Sequence, residues 1–198
     1  MRVIGITGGV GSGKSALLAY IRERYNCKIL MADEVAHKVK EPGQPCYEKL
    51  VSLLPENVID EDGNINKSRM AAAIFSSREL LTAVNDIIHP AVKAYILNEI
   101  AVEKRKGKIR FFFLEAALLI EDGYLDIVDE MWYIYASEEV RRKRLYGSRG
   151  YSEDKTGQII SSQLSETEFR KHCGTVIDNT GGFEDACRQI DVKLGEYL

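Results

Sequence analysis

Short apolar runs alternate with helical stretches at both ends of the chain. Such runs are typical of strands that are buried on both faces of a sheet. The predicted strands are residues 2–6, 28–31, 109–114, 130–135 and 175–177. The predicted helices near them are residues 14–25, 33–39, 138–146, 152–162 and 183–198. Strands that alternate with helices predict an α/β fold with a five-stranded parallel sheet covered by helices on both faces.

The middle of the chain, residues 44–106, follows a helical period and contains no convincing strand. Asn66 or Lys67 can begin one helix and Ser77 can cap the next, because short polar side chains satisfy free amides at helix starts. Pro90 predicts a kink or a restart, since proline lacks the amide that a helix interior needs. We therefore predict a helical insertion within the α/β core.

A glycine-rich segment joins the first predicted strand to the first helix. Residues 8–15 read GGVGSGKS and match the phosphate-binding pattern G-x-x-x-x-G-K-[ST]. Backbone amides and the helix start form a cradle for a polyphosphate. Lys14 would reach the β- and γ-phosphates, and the Ser15 hydroxyl would ligate Mg²⁺. A glycine turn before an ordinary helix is the simpler interpretation, but the flanking strand and helix favour the phosphate loop.

Composition argues against several classes of protein. The 198 residues carry a formal net charge of −3, whereas nucleic-acid binders usually carry a basic excess. The four cysteines form no C-x-x-C pair, which argues against a zinc site or a secreted disulfide framework and predicts reduced thiols in the cytoplasm. We expect no targeting leader, because the N-terminus begins with a predicted strand and shows no basic segment followed by an apolar one. We expect no membrane partner, because the most apolar window, residues 109–120, is too short to span a bilayer.

Three acidic residues are candidates for the reaction. Asp33 follows the second predicted strand, at the edge where open α/β sheets bind ligands. It could accept a proton from a substrate hydroxyl, contact Mg²⁺ through a water molecule, or cap the next helix. Glu115 closes the third strand, where a carboxylate linked to the metal is one interpretation and a solvated strand end is the other. Glu121 is a weaker candidate of the same kind.

The basic candidates concentrate near residue 145. Arg141 and Arg144 would share one helix face. Arg149 lies between Gly147 and Gly150, a composition that predicts a hinge. A cation on a closing lid would stabilise a transferring phosphate, whereas a solvated helix face is the alternative.

Two further segments permit two interpretations each. His89, just before Pro90, could cap a helix start or donate a hydrogen bond to a substrate. The loop 178–182 follows the last strand and could border the adenine of a nucleotide or form an ordinary turn.

Together these motifs resemble the dephospho-CoA kinase family over nearly the whole chain. The matching segments are 4–15, 32–33, 41–43, Arg69 with Phe75, 89–92, 118–121, the arginine-rich segment, Gln163 and 176–179. The phosphate loop alone is widespread among proteins. Its combination with Asp33, with the His-Pro pair at 89–90 and with the Leu-Leu-x-Glu segment at 118–121 is more specific.

The resemblance implies a P-loop NTPase fold in three parts. These are a core of residues 1–43, 107–140 and 172–198, a helical substrate-binding insertion of residues 44–106, and a lid of residues 141–171. It also implies that ATP and Mg²⁺ serve to phosphorylate the ribose 3′-hydroxyl of dephospho-CoA, the last step of coenzyme A synthesis. We expect a monomer or a weak homo-oligomer in the cytoplasm, with a small-molecule substrate.

Residue roles follow from the same resemblance. Asp33 is the expected base, while Lys14 and an arginine near Arg149 are expected to stabilise the phosphates. Arg69 and His89 are expected in the substrate region with Asp33. The nucleotide is expected on Gly9, Gly11, Ser12, Gly13, Lys14, Ser15 and Ala16, with the metal on Ser15.

The chain departs from the family pattern in places. Ala117, Ile120 and the pair at 174–175 replace a proline, an aromatic residue and an Ala-Asp pair, and the spacing around Arg149 differs by one residue. The choice among the three lid arginines therefore stays open. Two rival functions remain, a P-loop kinase for another nucleotide or small-metabolite hydroxyl and a non-catalytic nucleotide-dependent switch. The sequence contains no clear N-K-x-D, which argues against a GTPase.

Overall fold

The computed structural model describes residues 1–197, and its elements alternate much as the apolar pattern predicts. The strands are β1 (Arg2–Thr7), β2 (Cys27–Met31), β3 (Phe111–Glu115), β4 (Glu130–Tyr135) and β5 (Thr175–Asp178). The helices are α1 (Lys14–Arg24), α2 (Ala32–Lys38), α3 (Tyr47–Leu53), α4 (Lys67–Ser76), α5 (Arg78–Lys106), α6 (Glu138–Arg149), α7 (Glu153–Ser161), α8 (Glu166–His172) and α9 (Phe183–Gly195). A short 3-10 helix spans Glu56–Val58.

Strand β1 lies at the centre of the sheet. The strand order over residues 1–197 is β2-β3-β1-β4-β5. β1 pairs in parallel with both β3 and β4, and β4 pairs in parallel with β5. Every residue of β3 is buried, as expected of a strand covered on both faces. The predicted five-stranded parallel α/β sheet is confirmed.

The middle of the sheet is aromatic. Trp132, the single tryptophan of the sequence, is fully buried in β4 and pairs in register with Ile6 of β1. Its ring meets that of Phe113 at a centroid distance of 6.2 Å. This packing holds the carboxyl end of β1 in place, and the glycine-rich loop begins there.

The chain divides into two compact units. Residues 1–29 and 106–198 form the first, here called the sheet unit, and residues 30–105 form the second, the helical unit. The predicted insertion 44–106 falls within the helical unit except for Lys106. The helical unit also includes α2, which the sequence assigned to the core. The three-part division and the binding role of the insertion stay predictions.

Local polar contacts begin the helices of the helical unit where the sequence predicted. The Asn66 side chain accepts a hydrogen bond from the Arg69 amide at 3.0 Å and caps α4. The Ser77 hydroxyl accepts from the Leu80 amide at 3.1 Å at the start of α5. Each cap satisfies an amide that the helix itself cannot pair.

Helix α5 continues through Pro90, so the predicted possibility of a restart is wrong. The helix runs from Arg78 to Lys106 with the proline inside it. Its buried side chains continue on both sides of the proline, with Val84 before it and Val92 and Ile96 after it. Burial of one apolar face therefore outweighs the loss of one amide hydrogen bond.

The segment after β4 differs from the sequence prediction in two ways. Helix α6 includes Gly147 and ends at Arg149, and Gly150, whose φ is +61°, caps it. The predicted hinge is therefore helical up to its last glycine. Helix α8 was not predicted; Ser165 caps it by accepting from the Glu168 amide at 3.2 Å.

Among residues 1–197, no helix has the length and apolar character needed to cross a bilayer.

Candidate active site

The glycine-rich loop adopts a backbone that side chains would prevent. Gly8, Gly11 and Gly13 have φ values of +148°, +85° and +91°, which lie in or near the left-handed region that glycine tolerates. A Cβ at Gly8 would lie 2.4 Å from the carbonyl oxygen of Ile134. The Ser12 amide donates to the Gly9 carbonyl at 3.1 Å and closes a turn. The loop is therefore a fixed main-chain cradle.

The start of α1 suits an anion. Gly13 occupies the cap position, and no side chain caps the helix, so the positive end of its dipole faces the loop. Ser12 Oγ is buried and has no hydrogen-bond partner among the described residues. Buried hydroxyl groups in protein interiors nearly always have a hydrogen-bond partner. Both features fit a loop that a polyphosphate completes.

Lys14 is held at the loop by two oxygen atoms. Its Nζ donates to the Gly8 carbonyl at 2.6 Å and lies 3.8 Å from Glu115 Oε1. Glu115 ends β3 in register with Ile6 of β1 and is 8% exposed. The solvated strand-end interpretation of Glu115 is therefore wrong, because the carboxylate is buried beside the ammonium group. A link between Glu115 and a metal stays a prediction.

Two arginines of α6 contact the loop. Arg141 Nε donates to the Val10 carbonyl at 2.9 Å. Arg144 donates to the Ser12 carbonyl at 3.3 Å and to the Asn179 carbonyl at 2.9 Å. Burial lowers the pKa of Arg141 from its ordinary value. These side chains share one helix face as predicted, and that face packs on the loop and is not simply solvated.

Arg149 occupies a different position from the other two arginines. It is the last residue of α6, it is exposed, and its guanidinium lies 5.9 Å from the ring centre of Tyr151. Its predicted contact with phosphates stays a prediction. Arg141 and Arg144 are the two candidate arginines whose side chains contact the loop in the structure.

Gln163 joins the loop to the segment between α7 and α8. Its Oε1 accepts from the Val10 amide at 3.1 Å and from Arg141 at 2.5 Å. One side-chain oxygen therefore fixes both the backbone of the loop and the arginine that contacts it. The sequence offered Gln163 only as part of a resemblance, because glutamines carry no pattern that marks such a bridge.

Asn179, in the loop after β5, also packs against the phosphate loop. Its Nδ2 donates to the Ser12 carbonyl at 2.7 Å, and a Cβ at Gly13 would lie 2.3 Å from that nitrogen. Asn179 is 3% exposed, and its Oδ1 is buried without a partner among residues 1–197. The loop 178–182 is therefore not an ordinary surface turn, because Asn179 fixes it against the phosphate loop. Its contact with adenine stays a prediction.

The predicted acceptor residues all lie in the helical unit. Asp33 is exposed in the first turn of α2, and Met31 is the cap residue, so the capping interpretation of Asp33 is wrong. His89 is exposed inside α5, so it does not cap a helix start. Arg69, in the first turn of α4, donates to the Asn57 carbonyl at 3.1 Å. Glu121, the weaker acidic candidate, belongs to the sheet unit and is exposed between β3 and β4.

Comparisons with known proteins identify the family. The model of the dephospho-CoA kinase family matches residues 2–185. The dephospho-CoA kinase of Carboxydothermus hydrogenoformans is 35% identical over 195 residues, which cover 98% of this chain and 94% of the relative. That of Dehalococcoides mccartyi is 34% identical over 195 residues, covering 98% and 97%. Neither rival function finds support among these relatives.

Solved structures agree in fold. The crystal structure of TT1252 from Thermus thermophilus aligns with a TM-score of 0.82 and 31% identity, covering 100% of this chain and 98% of the other. A dephospho-CoA kinase from Campylobacter jejuni aligns with a TM-score of 0.75 and 23% identity, covering 98% and 96%. A family model that spans nearly the whole chain, together with full-length relatives above 30% identity, establishes that this chain belongs to the dephospho-CoA kinase family.

Proposed function

We propose that the protein transfers the γ-phosphoryl group of ATP to the ribose 3′-hydroxyl of dephospho-CoA, giving coenzyme A and ADP. The observation that carries this proposal is the preformed loop, in which Lys14 Nζ lies between the Gly8 carbonyl and Glu115. A loop of this kind serves a polyphosphate, and the family supplies the acceptor. The rest of the proposal assigns roles to the chain's own residues.

The nucleotide would lie along the start of α1. The backbone of Gly9, Gly11 and Gly13 would surround the phosphates, with Ser12 and Ala16 beside them, because glycines permit this close approach. Ser15 would ligate Mg²⁺, which, when bound, neutralises charge on the phosphates. Lys14 would leave the Gly8 carbonyl for a phosphate oxygen, a stronger acceptor because it is charged.

The acceptor hydroxyl would meet Asp33. A carboxylate accepts the proton of an attacking alcohol, and an exposed position on α2 leaves Asp33 open to a ligand. Arg69 and His89 would contact the same substrate from α4 and α5. Arg141, Arg144 or Arg149 would offset the negative charge of the transferring group. Positioning and charge neutralisation would then supply most of the catalysis.

A panel of acceptors tests this function. Purified protein with radioactive ATP is expected to label dephospho-CoA, and not nucleoside monophosphates, shikimate or gluconate. Asp33→Asn should lower kcat by about 10²–10⁴-fold and leave ATP affinity, measured by calorimetry, unchanged. Glu34→Gln is the matched control, because Glu34 is the next exposed acid on the same helix. Labelling of another acceptor but not of dephospho-CoA would overturn the proposal.

We further propose that the enzyme works in the cytoplasm as a monomer or a weak homo-oligomer. All four cysteines are free and lie buried or half-buried, which suits a reducing compartment. Sedimentation at several concentrations tests the assembly state, and a stable oligomer at the lowest concentration would contradict it.

A further inference from the structure

Three basic side chains of the helical unit gather near Asp33. We call His37, Lys40 and Lys67 the basic cluster. Lys67 Nζ lies 3.4 Å from His37 Nε2, and the Lys40 amide donates to the His37 carbonyl at 3.2 Å. His37 belongs to α2, Lys40 follows its end, and Lys67 begins α4. The side chains of Lys67 and His37 are therefore in contact, and the charges of both lysines act on the imidazole.

Burial and positive neighbours lower the pKa values of His37 and Lys40 in the basic cluster. Burial lowers the pKa of His37, Lys40 and Lys67 lower it further, and Asp33 raises it. Burial and the charge of Lys67 also lower the pKa of Lys40. Like charges held this close are unfavourable without a counter-charge. Mutual perturbation of this kind is found more often at binding sites than on ordinary surface.

The basic cluster lies one helical turn from the proposed base. Asp33 and His37 are four residues apart on α2 and therefore share a face, separated by one turn of about 5.4 Å. The proposed acceptor has a matching layout. Its ribose carries the reacting 3′-hydroxyl and, at the 5′ carbon, a diphosphate that is anionic at neutral pH.

We propose that the basic cluster binds the diphosphate of the acceptor and so holds the 3′-hydroxyl at Asp33. This inference rests on the proposed function and adds a specificity site to it. Lys40 and Lys67 supply charge-assisted hydrogen bonds to phosphate oxygens. His37 accepts from Lys67 while it is neutral, and it gains a donor when an adjacent diphosphate favours its protonation. The cluster thereby selects acceptors that carry the diphosphate.

Steady-state kinetics and binding test the basic cluster in the full-length protein. Lys67→Gln and Lys40→Gln are each expected to raise the KM for dephospho-CoA about tenfold or more, and to weaken equilibrium binding of dephospho-CoA without ATP equally. The KM for ATP and kcat should stay within about twofold, since the ATP phosphates are assigned to the loop. Lys67→Arg should restore most of the affinity. Lys49→Gln, an exposed lysine of α3, should change nothing.

The outcomes separate this inference from the proposed function. If the wild type phosphorylates dephospho-CoA and both glutamine variants, folded by circular dichroism, keep its KM and binding constant, the basic cluster is not the diphosphate site. If the variants raise the KM for ATP instead, the cluster serves the nucleotide, and the inference is again wrong. In a third outcome the wild type binds dephospho-CoA but transfers no phosphate to it, and the glutamine variants bind it more weakly. The inference then stands and the proposed function fails.

Discussion

The phosphate loop of the sheet unit and the basic cluster of the helical unit are both positive, but they are built differently. Around the loop, Lys14, Arg141 and Arg144 each donate to backbone carbonyls, and Lys14 also lies beside a buried carboxylate. In the cluster, lysines and a histidine face one another, and Asp33 is the carboxylate that acts on His37.

The two sites therefore differ in what fixes their geometry: the backbone fixes the loop, whereas side chains form the cluster. The loop is fixed by its main-chain geometry and by contacts with the rest of the protein, so a substitution there should affect both folding and catalysis. The cluster uses side chains at helix ends, so damage there should affect the affinity for one ligand. The following substitutions test that division, beginning with the largest expected effect.

Gly8→Ala should damage the fold itself. Its Cβ would lie 2.4 Å from a main-chain oxygen, and its φ of +148° is unfavourable for alanine. We expect the free energy of unfolding to fall by about 2–5 kcal/mol, measured by urea denaturation with circular dichroism. Gly174→Ala is the control, because a Cβ there meets nothing within 4 Å. Equal stability of the two variants would show that the loop is not fixed by this contact.

Lys14→Gln should separate the two positive sites by their kinetics. Removing a cation from the reacting phosphates is expected to lower kcat about 10²–10³-fold, whereas Lys67→Gln should act on the KM for the acceptor alone. Both are single lysine-to-glutamine changes, so each serves as the control for the other. A rise in acceptor KM without loss of kcat in Lys14→Gln would contradict the division of roles.

Gln163→Ala should loosen the contact between the segment that joins α7 to α8 and the phosphate loop. The Val10 amide and Arg141 would lose a shared acceptor, which we expect to cost about 1–3 kcal/mol of unfolding free energy and to raise the KM for ATP. Gln158→Ala, an exposed glutamine of α7, is the matched control. An unchanged KM for ATP would mean that the bridge does not position the loop.

Gly147→Ala should produce the smallest change, and a favourable one. Gly147 lies within α6, and a Cβ there meets nothing within 4 Å. Alanine is expected to raise the unfolding free energy by about 0.5–1 kcal/mol with kcat unchanged. A loss of kcat would instead support the hinge that the sequence predicted, because alanine stiffens the helix at a point where catalysis would then require bending.

The sequence predicted the sheet and the phosphate loop because both depend on local patterns. The apolar strands alternate with helices, and the residues 8–15 specify their own backbone. The position of Glu115 was found from the end of its strand, but its pairing with Lys14 required the register of β1 with β3. A contact between segments that are distant in sequence leaves no periodicity that a single chain reveals.

The contacts of α6, helix α8 and the basic cluster were harder to predict, for different physical reasons. Arg149 stood out because of its flanking glycines, but the arginines that contact the loop are Arg141 and Arg144, and these contacts join residues more than 130 positions apart in the sequence. Helix α8 has only seven residues, which is too short for a helical period to be recognised in the sequence. His37 carried no pattern, because its neighbours Lys40 and Lys67 come from the end of one helix and the start of another.

The burial of a single indole has an experimental consequence. Trp132 lies in the sheet unit in register with Ile6, and the helical unit contains no tryptophan. Selective excitation of indole emission therefore follows the sheet unit without any label. Comparing this signal with far-ultraviolet ellipticity during heating would show whether the two units melt as one cooperative body or in separate steps.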